Sequence, residues 1–150
     1  MEDKRNIKLF LRQAELNDAK FIDELSSQLG YKSAMEKTEN RLSQILNNDD
    51  NCVFVILDNE NIIGWIHGFY SLRVESDAFV EIGGLIVDEK YRRNGIGEIL
   101  VKKLIEWAQS KRSKKIRVRC NALRKEAHLF YDKIGFVETK EQKIFDMELN

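Results

Sequence analysis

The most constraining feature of this chain is an apolar strand that runs into a basic, glycine-containing turn and then into an amphipathic helix. The segment reads Gly83-Gly84-Leu85-Ile86-Val87-Asp88-Glu89-Lys90-Tyr91-Arg92-Arg93-Asn94-Gly95-Ile96-Gly97. A helix that starts at such a turn gathers unpaired backbone N–H groups and the positive end of its dipole at one point. Gly95 and Gly97 would let a ligand approach these groups, and Arg92 and Arg93 add positive charge. The segment therefore predicts a site for a phosphate or pyrophosphate group.

The glycine spacing does not match the two most familiar phosphate-binding loops. A Walker loop needs Gly-x-x-x-x-Gly-Lys followed by Ser or Thr, whereas Glu98 follows Gly97 here. A dinucleotide fingerprint needs a third glycine, and Leu100 stands at that position. What remains is Arg92-x-x-Gly95-x-Gly97 after a strand. The structural alternative for these glycines is a tight turn with close helix–strand contact.

Length and charge predict one globular domain over residues 1–150 that binds neither nucleic acid nor membranes. The 150 residues carry 25 basic and 25 acidic side chains, so the strongly basic surface expected of a nucleic-acid binder is missing. No apolar run approaches the roughly 20 residues needed to span a bilayer, and the charged N-terminus lacks a signal-peptide core. Cys52 and Cys120 sit in apolar strand patterns, which predicts buried reduced thiols and a cytoplasmic protein.

Hydrophobic periodicity predicts an α/β sandwich around one mixed sheet, with about seven strands and about four helices. The expected order is one strand, two helices, three strands, a helix, a strand, a helix and two final strands. Expected strands cover residues 7–12, 52–57, 62–70, 79–87, 115–120, 136–139 and 144–149. Expected helices cover about 18–29, 35–46, 96–108 and 123–134, and Gly135 should end the last one.

Three stretches of the chain resemble the GNAT superfamily of acyl-CoA-dependent N-acetyltransferases. Arg92-x-x-Gly95-x-Gly97 resembles its coenzyme A pyrophosphate loop, and Leu11-Arg12-Gln13-Ala14 with Asn17-Asp18-Ala19 resembles its entry segment. Phe130-Tyr131-Asp132-Lys133-Ile134-Gly135-Phe136 resembles its Phe-Tyr-x-x-x-Gly-Phe segment. The predicted order of elements is also that of the family, over nearly the whole chain. The resemblance implies a GNAT-like α/β fold in three layers, whose one central mixed sheet is mostly antiparallel. It also implies acetyl-CoA as co-substrate and acetyl transfer to an amine.

Acyl transfer from a thioester to an amine needs a proton acceptor, a donor to the carbonyl oxygen and support for the leaving thiolate. Glu81, a lone carboxylate in an apolar strand, is the candidate base; a clamp for the substrate ammonium or a structural ion pair are the alternatives. Gly83 and Gly84 inside that strand predict a bulge that frees backbone N–H groups. The alternative is a fully paired strand. By resemblance, the N–H of Leu85 faces the thioester carbonyl and that of Val87 the pantetheine arm.

Tyr131 is the candidate hydrogen-bond donor to the leaving thiolate, since the resemblance places a tyrosine near the coenzyme sulfur. A core tyrosine is the alternative. His128 lies one helical turn earlier on the same face and has either a catalytic or a surface role. Neither this histidine nor His67 has a second ligand at metal spacing, so no metal is expected.

The remaining site assignments concern the coenzyme and the acceptor. The resemblance implies coenzyme A contacts from Leu85, Ile86, Val87, Arg92, Arg93, Asn94, Gly95, Ile96, Gly97, Glu98, Asn121, Ala127 and Phe130. Asn121 is equally well explained as a helix cap. The expected acceptor pocket is lined by Tyr31, Trp65, His67 and Phe69, although His67 would also suit a satisfied core position.

Two acceptors compete: a small cationic amine, which Glu75 and Asp77 in an expected loop would favour, and a protein lysine or N-terminus. A non-catalytic acyl-CoA sensor is a different class, and the presence of both Glu81 and Tyr131 argues against it. A hydrolase that uses Cys120 with a histidine is a third alternative. Folds of this kind also often dimerise through their last strands, so a homodimer is among the expected assemblies.

Overall fold

The computed structural model describes residues 6–32 and 34–150, which form two compact units that divide after Val118. The elements of the first unit are β1 (Leu9–Gln13), α1 (Ala19–Ser27), α2 (Met35–Leu46), β2 (Asn51–Asp58), β3 (Asn61–Ser71), β4 (Phe79–Val87), α3 (Ile96–Ser110) and β5 (Ile116–Val118). The second unit contains α4 (Lys125–Lys133). The expected order of elements is confirmed as far as α4. No described helix is long and apolar enough to cross a membrane.

The five strands of the first unit form one sheet in the order β1-β2-β3-β4-β5. All neighbours are antiparallel except β4 and β5, which are parallel. The expected mixed, mostly antiparallel sheet is therefore confirmed. The hairpin between β2 and β3 closes through Asn59, whose φ of 54° lies in the left-handed region that asparagine tolerates better than most residues.

One face of the sheet is covered by α3. Two glycines of β3 allow this close approach: a Cβ atom on Gly64 would lie 3.3 Å from Leu100 Cδ1, and one on Gly68 would overlap the Leu104 side chain. Leu100 and Leu104 are both fully buried. Burial of a leucine side chain contributes about 1.5–3 kcal/mol, so this stripe fixes α3, and with it the turn that precedes α3, against the sheet.

The opposite face is covered by α1 and α2. Its buried cluster consists of Ala14, Ala19, Ile22, Leu42, Val53, Val55 and Leu57. Asp23 on α1 accepts hydrogen bonds from the Thr38 hydroxyl (2.9 Å) and the Ala34 backbone N–H (3.2 Å), which ties α1 to the start of α2. With helices on both faces, the first unit has the three expected layers.

The second unit begins at Arg119, and its helix α4 ends as the sequence predicts. Gly135 adopts φ +108°, and its N–H donates to the Asp132 carbonyl at 3.2 Å. The Phe136 N–H donates to the Tyr131 carbonyl at 2.9 Å. This pair of bonds is a Schellman motif, which satisfies two carbonyls at the end of the helix.

Two expectations about the C-terminal part of the chain are wrong. Residues 136–139 and 144–149 form no strand, so the described sheet has five strands rather than about seven, and the strand expected at 115–120 spans only Ile116–Val118. Cys52 is buried as predicted, but Cys120 is exposed, and both are free thiols. Alternation along a segment indicates which side chains share a face, whereas strand formation also needs a partner edge.

Candidate active site

The two consecutive glycines of β4 lie at a β-bulge. Across the β3–β4 pair, His67 is opposite Gly84 and Gly68 is opposite Ile82, so Gly83 is an extra residue with no partner on β3. The predicted bulge is confirmed, and a regular, fully paired strand is excluded. An extra residue shifts the alternation of backbone groups by one position, which changes the direction of every N–H that follows along β4.

The backbone beyond the bulge has a defined direction. The Asp88 N–H donates to the Ile63 carbonyl on β3 at 2.8 Å. Because successive N–H groups of a strand point to alternate sides, counting back from Asp88 directs the N–H groups of Leu85 and Val87 away from β3. These are the two groups that the sequence analysis singled out.

The edge to which these groups point has no strand partner beyond the bulge. Pairing between β4 and β5 covers three residue pairs and ends at Ile82 opposite Val118. At the paired end, the Val80 N–H donates to the Lys115 carbonyl at 3.1 Å. Over residues 83–87, the described sheet therefore leaves the outer edge of β4 open for a ligand that hydrogen-bonds along it.

The open edge leads into the glycine turn at the start of α3. Gly95 is the residue before the helix, with φ +73°, and its carbonyl accepts the first helical bond from the Ile99 N–H at 3.1 Å. The N–H groups of Ile96, Gly97 and Glu98 therefore have no acceptor within the helix. A Cβ atom on Gly95 would meet nothing within 4 Å. The helix start thus combines donors, a positive dipole end and open space, as an anion site requires.

Side-chain bonds hold this turn in place. The Asn94 amide donates to the carbonyls of Tyr91 (3.0 Å) and Arg92 (3.2 Å). The Tyr91 hydroxyl donates to Asp58 Oδ2 on β2 at 2.7 Å. Arg93 adopts φ +67°, a left-handed conformation that costs a non-glycine residue about 1–2 kcal/mol. The turn is therefore fixed in a conformation that carries backbone strain next to the candidate phosphate site.

Glu81 lies on β4 two residues before the bulge, and it is half-buried. It is opposite Phe69 on β3 and beside Arg117 on β5. Because paired residues share a face and alternate residues repeat it, Glu81 and Phe69 face the same side of the sheet as His67 and Trp65 of β3. The strands thus assemble four of the predicted residues on one face. Tyr31 is on the α1–α2 loop and is 63% exposed, so the sheet does not position it.

His67 is a fixed, neutral side chain beside the bulge. Its Nε2 lies 2.8 Å from Asn51 Oδ1, and its ring centre lies 5.8 Å from that of Phe69. Burial lowers the pKa of His67, so the imidazole is neutral at pH 7. An oxygen acceptor at Nε2 places the proton on that nitrogen, which leaves the Nδ1 lone pair directed towards Gly83.

Trp65 and Asn51 complete this surface in ways that sequence reasoning missed. The Trp65 ring lies over Gly84, where a Cβ atom would come within 2.8 Å of it. Its indole N–H is buried and has no hydrogen-bond partner among the described residues. Asn51 orients His67 from the neighbouring strand. The one sequence signal for Asn51 was its position as a polar residue at the start of the apolar strand β2.

In the second unit, Tyr131 is held by aromatic contacts. Its ring packs edge-on against Phe130 (5.0 Å between centres) and Phe136 (5.2 Å). Burial, with a further contribution from the Cys120 thiol, raises the pKa of Tyr131 far above its ordinary value, although Arg124 acts in the opposite direction. The phenol therefore stays protonated at neutral pH and remains able to donate a hydrogen bond.

The segment before α4 is organised by Asn121. Its Oδ1 accepts from the Leu123 N–H at 2.9 Å, and its carbonyl lies 2.9 Å from His128 Nε2. The side-chain oxygen therefore forms a local turn before the helix, but the residue that caps α4 is Arg124, so the interpretation of Asn121 as the helix cap is wrong. Ala127 and Phe130, the other predicted coenzyme contacts in this unit, are half-buried on α4. Within residues 6–32 and 34–150, no three His, Cys, Asp or Glu side chains group as metal ligands.

A bulged central strand with an open outer edge, leading to a helix start with unpaired backbone donors, suits a ligand that hydrogen-bonds along a strand and ends in a phosphate group. The family model described as Acetyltransferase (GNAT) family matches residues 19–136, and the chain belongs to this family. It is therefore an acyl-CoA-dependent N-acetyltransferase, with acetyl-CoA as co-substrate.

Solved structures of the same fold cover nearly the whole chain. The aminoglycoside N-acetyltransferase AAC(6')-Iy in complex with CoA has a TM-score of 0.86 at 17% identity, covering 97% of this chain and 99% of that one. An aminoglycoside acetyltransferase from an uncultured soil metagenomic sample, in complex with trehalose, has a TM-score of 0.80 at 23% identity, covering 95% and 97%. Glucosamine-6-phosphate N-acetyltransferase from Arabidopsis thaliana has a TM-score of 0.80 at 21% identity, covering 94% and 99%.

Proposed function

We propose that this protein transfers the acetyl group of acetyl-CoA to a primary amine on a small cationic molecule. The observation that carries the proposal is the bulge at Gly83, which directs the N–H groups of Leu85 and Val87 to the open edge of β4. An oxyanion that develops on the thioester carbonyl needs backbone donors already in position. Leu85 supplies one, Val87 holds the pantetheine arm, and the helix start at Gly95 binds the pyrophosphate.

Glu81 and Tyr131 are the proposed proton-transfer groups. Glu81 accepts a proton from the ammonium, directly or through water, so that the amine attacks the carbonyl carbon. The carbon–sulfur bond then breaks as the Tyr131 phenol donates a hydrogen bond to the departing thiolate. The second proton that the nitrogen loses as the amide forms passes through water to the thiolate. A phenol with a pKa above that of a thiol does not transfer its proton completely, but it stabilises the thiolate charge.

The acceptor surface is the sheet face that carries Trp65, His67, Phe69 and Glu81. Aromatic rings beside one carboxylate suit a compact cation, because rings and carboxylate both attract positive charge. The similar structures include acetyltransferases of aminoglycosides and of a sugar phosphate amine. These features support a small amine over a protein lysine or N-terminus. We propose one domain over residues 1–150, a cytoplasmic location and a homodimer.

The test is coenzyme A release from acetyl-CoA with a panel of aminoglycosides, polyamines, amino acids and lysine-containing peptides. The proposal predicts saturable turnover with at least one small cationic amine and with no peptide of comparable charge. Turnover with peptides alone would indicate a protein acceptor. Binding of acetyl-CoA without turnover on any amine would indicate a sensor.

A further inference from the structure

Three cations surround the buried ring of Phe79 at the start of β4. The charges of Arg117, Lys115 and Arg73 lie 4.3 Å, 4.8 Å and 5.3 Å from the ring centre. No two of these charges can be further apart than the sum of their distances from the ring, which is about 10 Å, or one Debye length at 0.1 M salt. The three cations therefore repel one another with little screening.

No carboxylate in the described part of the chain neutralises this cluster. None of the three cations forms an ion pair within residues 6–32 and 34–150. Arg73 donates from Nε to the hydroxyl of Ser71 at 3.1 Å, and this acceptor carries no charge. Glu75 and Asp77 follow Arg73 in the same loop, yet neither forms an ion pair with it. A cluster of cations without a counter-charge favours the binding of an anion.

The cluster lies on the same face of the sheet as the candidate base. Arg117 on β5 is directly beside Glu81 on β4, and Glu81 is in turn opposite Phe69 of the acceptor surface. Phe79 is two residues before Glu81, so the two side chains share one face and are about 7 Å apart along the strand. The cations therefore continue the acceptor surface beyond Glu81, on the side away from the bulge.

We propose that this cluster binds an anionic group of the acceptor, a carboxylate or a phosphate, while Glu81 holds the amine end beside the bulge. Arg117 and Arg73 have planar guanidinium groups that can bind either anion through two parallel hydrogen bonds. Lys115 adds a third positive charge. A polyamine would instead place its further positive charges against the cluster, which is unfavourable.

The inference rests on the proposed acetyl transfer and narrows its substrate class. The acceptor is cationic at the amine that reacts and anionic at its other end. Glu81 and the cluster thus recognise the two ends of one molecule, and their order along β4 determines which end faces the thioester.

Binding to the complex with coenzyme A, which has no acetyl group to transfer, tests this recognition without turnover. Ligand-observed NMR titrations compare 6-aminohexanoate and 6-aminohexyl phosphate with hexylamine and 1,6-diaminohexane, which have the same chain length. At least one anionic ligand should bind about tenfold more tightly than hexylamine, because several ion pairs act together. The diamine should bind more weakly than hexylamine. Equal affinities, or a preference for the diamine, would overturn the proposal.

Charge reversal within the cluster distinguishes recognition from folding. Arg117→Glu should weaken binding of the anionic ligands at least about tenfold and strengthen binding of the diamine, because the reversed charge repels one and attracts the other. A misfolded variant would lose every ligand, so Arg73→Glu, at an exposed loop residue, should shift the preference in the same direction. Lys114→Glu changes the net charge equally at an exposed residue outside the cluster, and should leave the preference unchanged. If neither reversal shifts the preference towards the diamine, the proposal is wrong.

Turnover separates this inference from the proposed function. With acetyl-CoA, coenzyme A release should be faster with the preferred anionic ligand than with the diamine at equal concentration. Acetyl transfer to amines without this charge preference would overturn the inference and leave the proposed function standing. The charge preference in binding, without acetylation of any amine, would support the anion site and contradict the proposed function instead.

Discussion

The imidazole of His67 lies directly over Gly83, so that a Cβ atom at residue 83 would stand 2.5 Å from its Nδ1. The ring cannot move aside freely, because Asn51 holds its other nitrogen at 2.8 Å. The glycine therefore does more than permit a bulge. It leaves space for the neutral His67 ring to pack against β4. This is the strand whose backbone N–H groups we propose to bind the thioester.

Replacing Gly83 by alanine should lower the free energy of unfolding by about 1–3 kcal/mol, because the new methyl group overpacks against a fixed ring. Thermal or urea denaturation measures the loss. In the double variant Gly83→Ala/His67→Ala the alanine should cost much less, since the ring is gone. An equal loss of unfolding free energy with and without the His67 ring would show that His67 is not the reason why residue 83 must be glycine.

Asp18→Asn should lower the free energy of unfolding by about 1.5–3 kcal/mol at pH 7, the usual worth of hydrogen bonds to a charged group. Burial favours protonation of Asp18, but hydrogen bonds from Arg12 and from the Glu15 N–H, with the Arg12 charge, outweigh it and hold the pKa below its ordinary value. This contribution is therefore complete above pH 4–5 and is lost as pH falls through the folded-state pKa.

Urea denaturation from pH 7 to pH 2.5 measures the difference between Asp18→Asn and the wild type, which should shrink towards the acid end. The matched control is Glu106→Gln, which breaks an exposed pair with Lys103 at 3.3 Å. It should cost less than 1 kcal/mol. A difference for Asp18→Asn that is constant with pH would show that the carboxylate charge is not what stabilises this corner.

Gly95→Asn should weaken acetyl-CoA binding at least tenfold without a loss of stability. Asparagine tolerates a left-handed backbone, so the variant folds, while its side chain enters the open space before α3. Calorimetric titration measures the affinity. Gly30→Asn is the control, because Gly30 also has a positive φ (+86°) and no neighbour within 4 Å of an added Cβ atom. Unchanged acetyl-CoA affinity in Gly95→Asn would show that this turn does not bind the pyrophosphate.

Tyr131→Phe should lower kcat by about 10²–10³-fold, the usual cost of removing one hydrogen-bond donor to a charge that develops in the transition state. The ring contacts with Phe130 and Phe136 remain, so acetyl-CoA affinity and melting temperature should hardly change. Tyr70→Phe serves as the control tyrosine, on β3. A loss of affinity or stability with kcat intact would show that the hydroxyl is a binding or folding contact. His128 would then be the next candidate for the donor to the thiolate.

Glu81→Gln should lower kcat and leave acetyl-CoA affinity nearly unchanged. If Glu81 accepts the proton, the acidic limb of the pH–rate profile should disappear in the variant. If it only holds the ammonium, the rise in KM for the amine should exceed the fall in kcat. If the variant turns over as fast as the wild type, Glu81 has a structural role and takes no part in the reaction.

Sequence alone predicted the elements whose signals are local. The bounds of α2 and β4 agree with the structure, because helical spacing and a continuous apolar run define them without reference to the rest of the chain. The bulge followed from two glycines inside β4. The prediction of the two final strands was wrong because an alternating segment becomes a strand only where it pairs with a sheet edge. No local signal in the sequence specifies that edge.

The site was predicted unevenly for the same reason. The helix start at Gly95 is a local feature, and its geometry agrees with the prediction. Asn51 was missed because its role depends on its cross-strand relation to His67, which the sequence does not display. The function proposed for Tyr131 rests on family resemblance. Glu81 was singled out as a lone carboxylate in an apolar strand, a pattern that does not distinguish a base from an ammonium clamp or a structural ion pair.

The most direct test of the account is to follow the acetyl group itself. Acetyl-CoA carrying a trideuterated acetyl group is incubated with the protein and the cationic amine panel, and the products are analysed by mass spectrometry. The account predicts that the label appears on an amine in amounts equal to the coenzyme A released, and that Glu81→Gln slows both together. Tight binding of the labelled coenzyme with no labelled amine would contradict it.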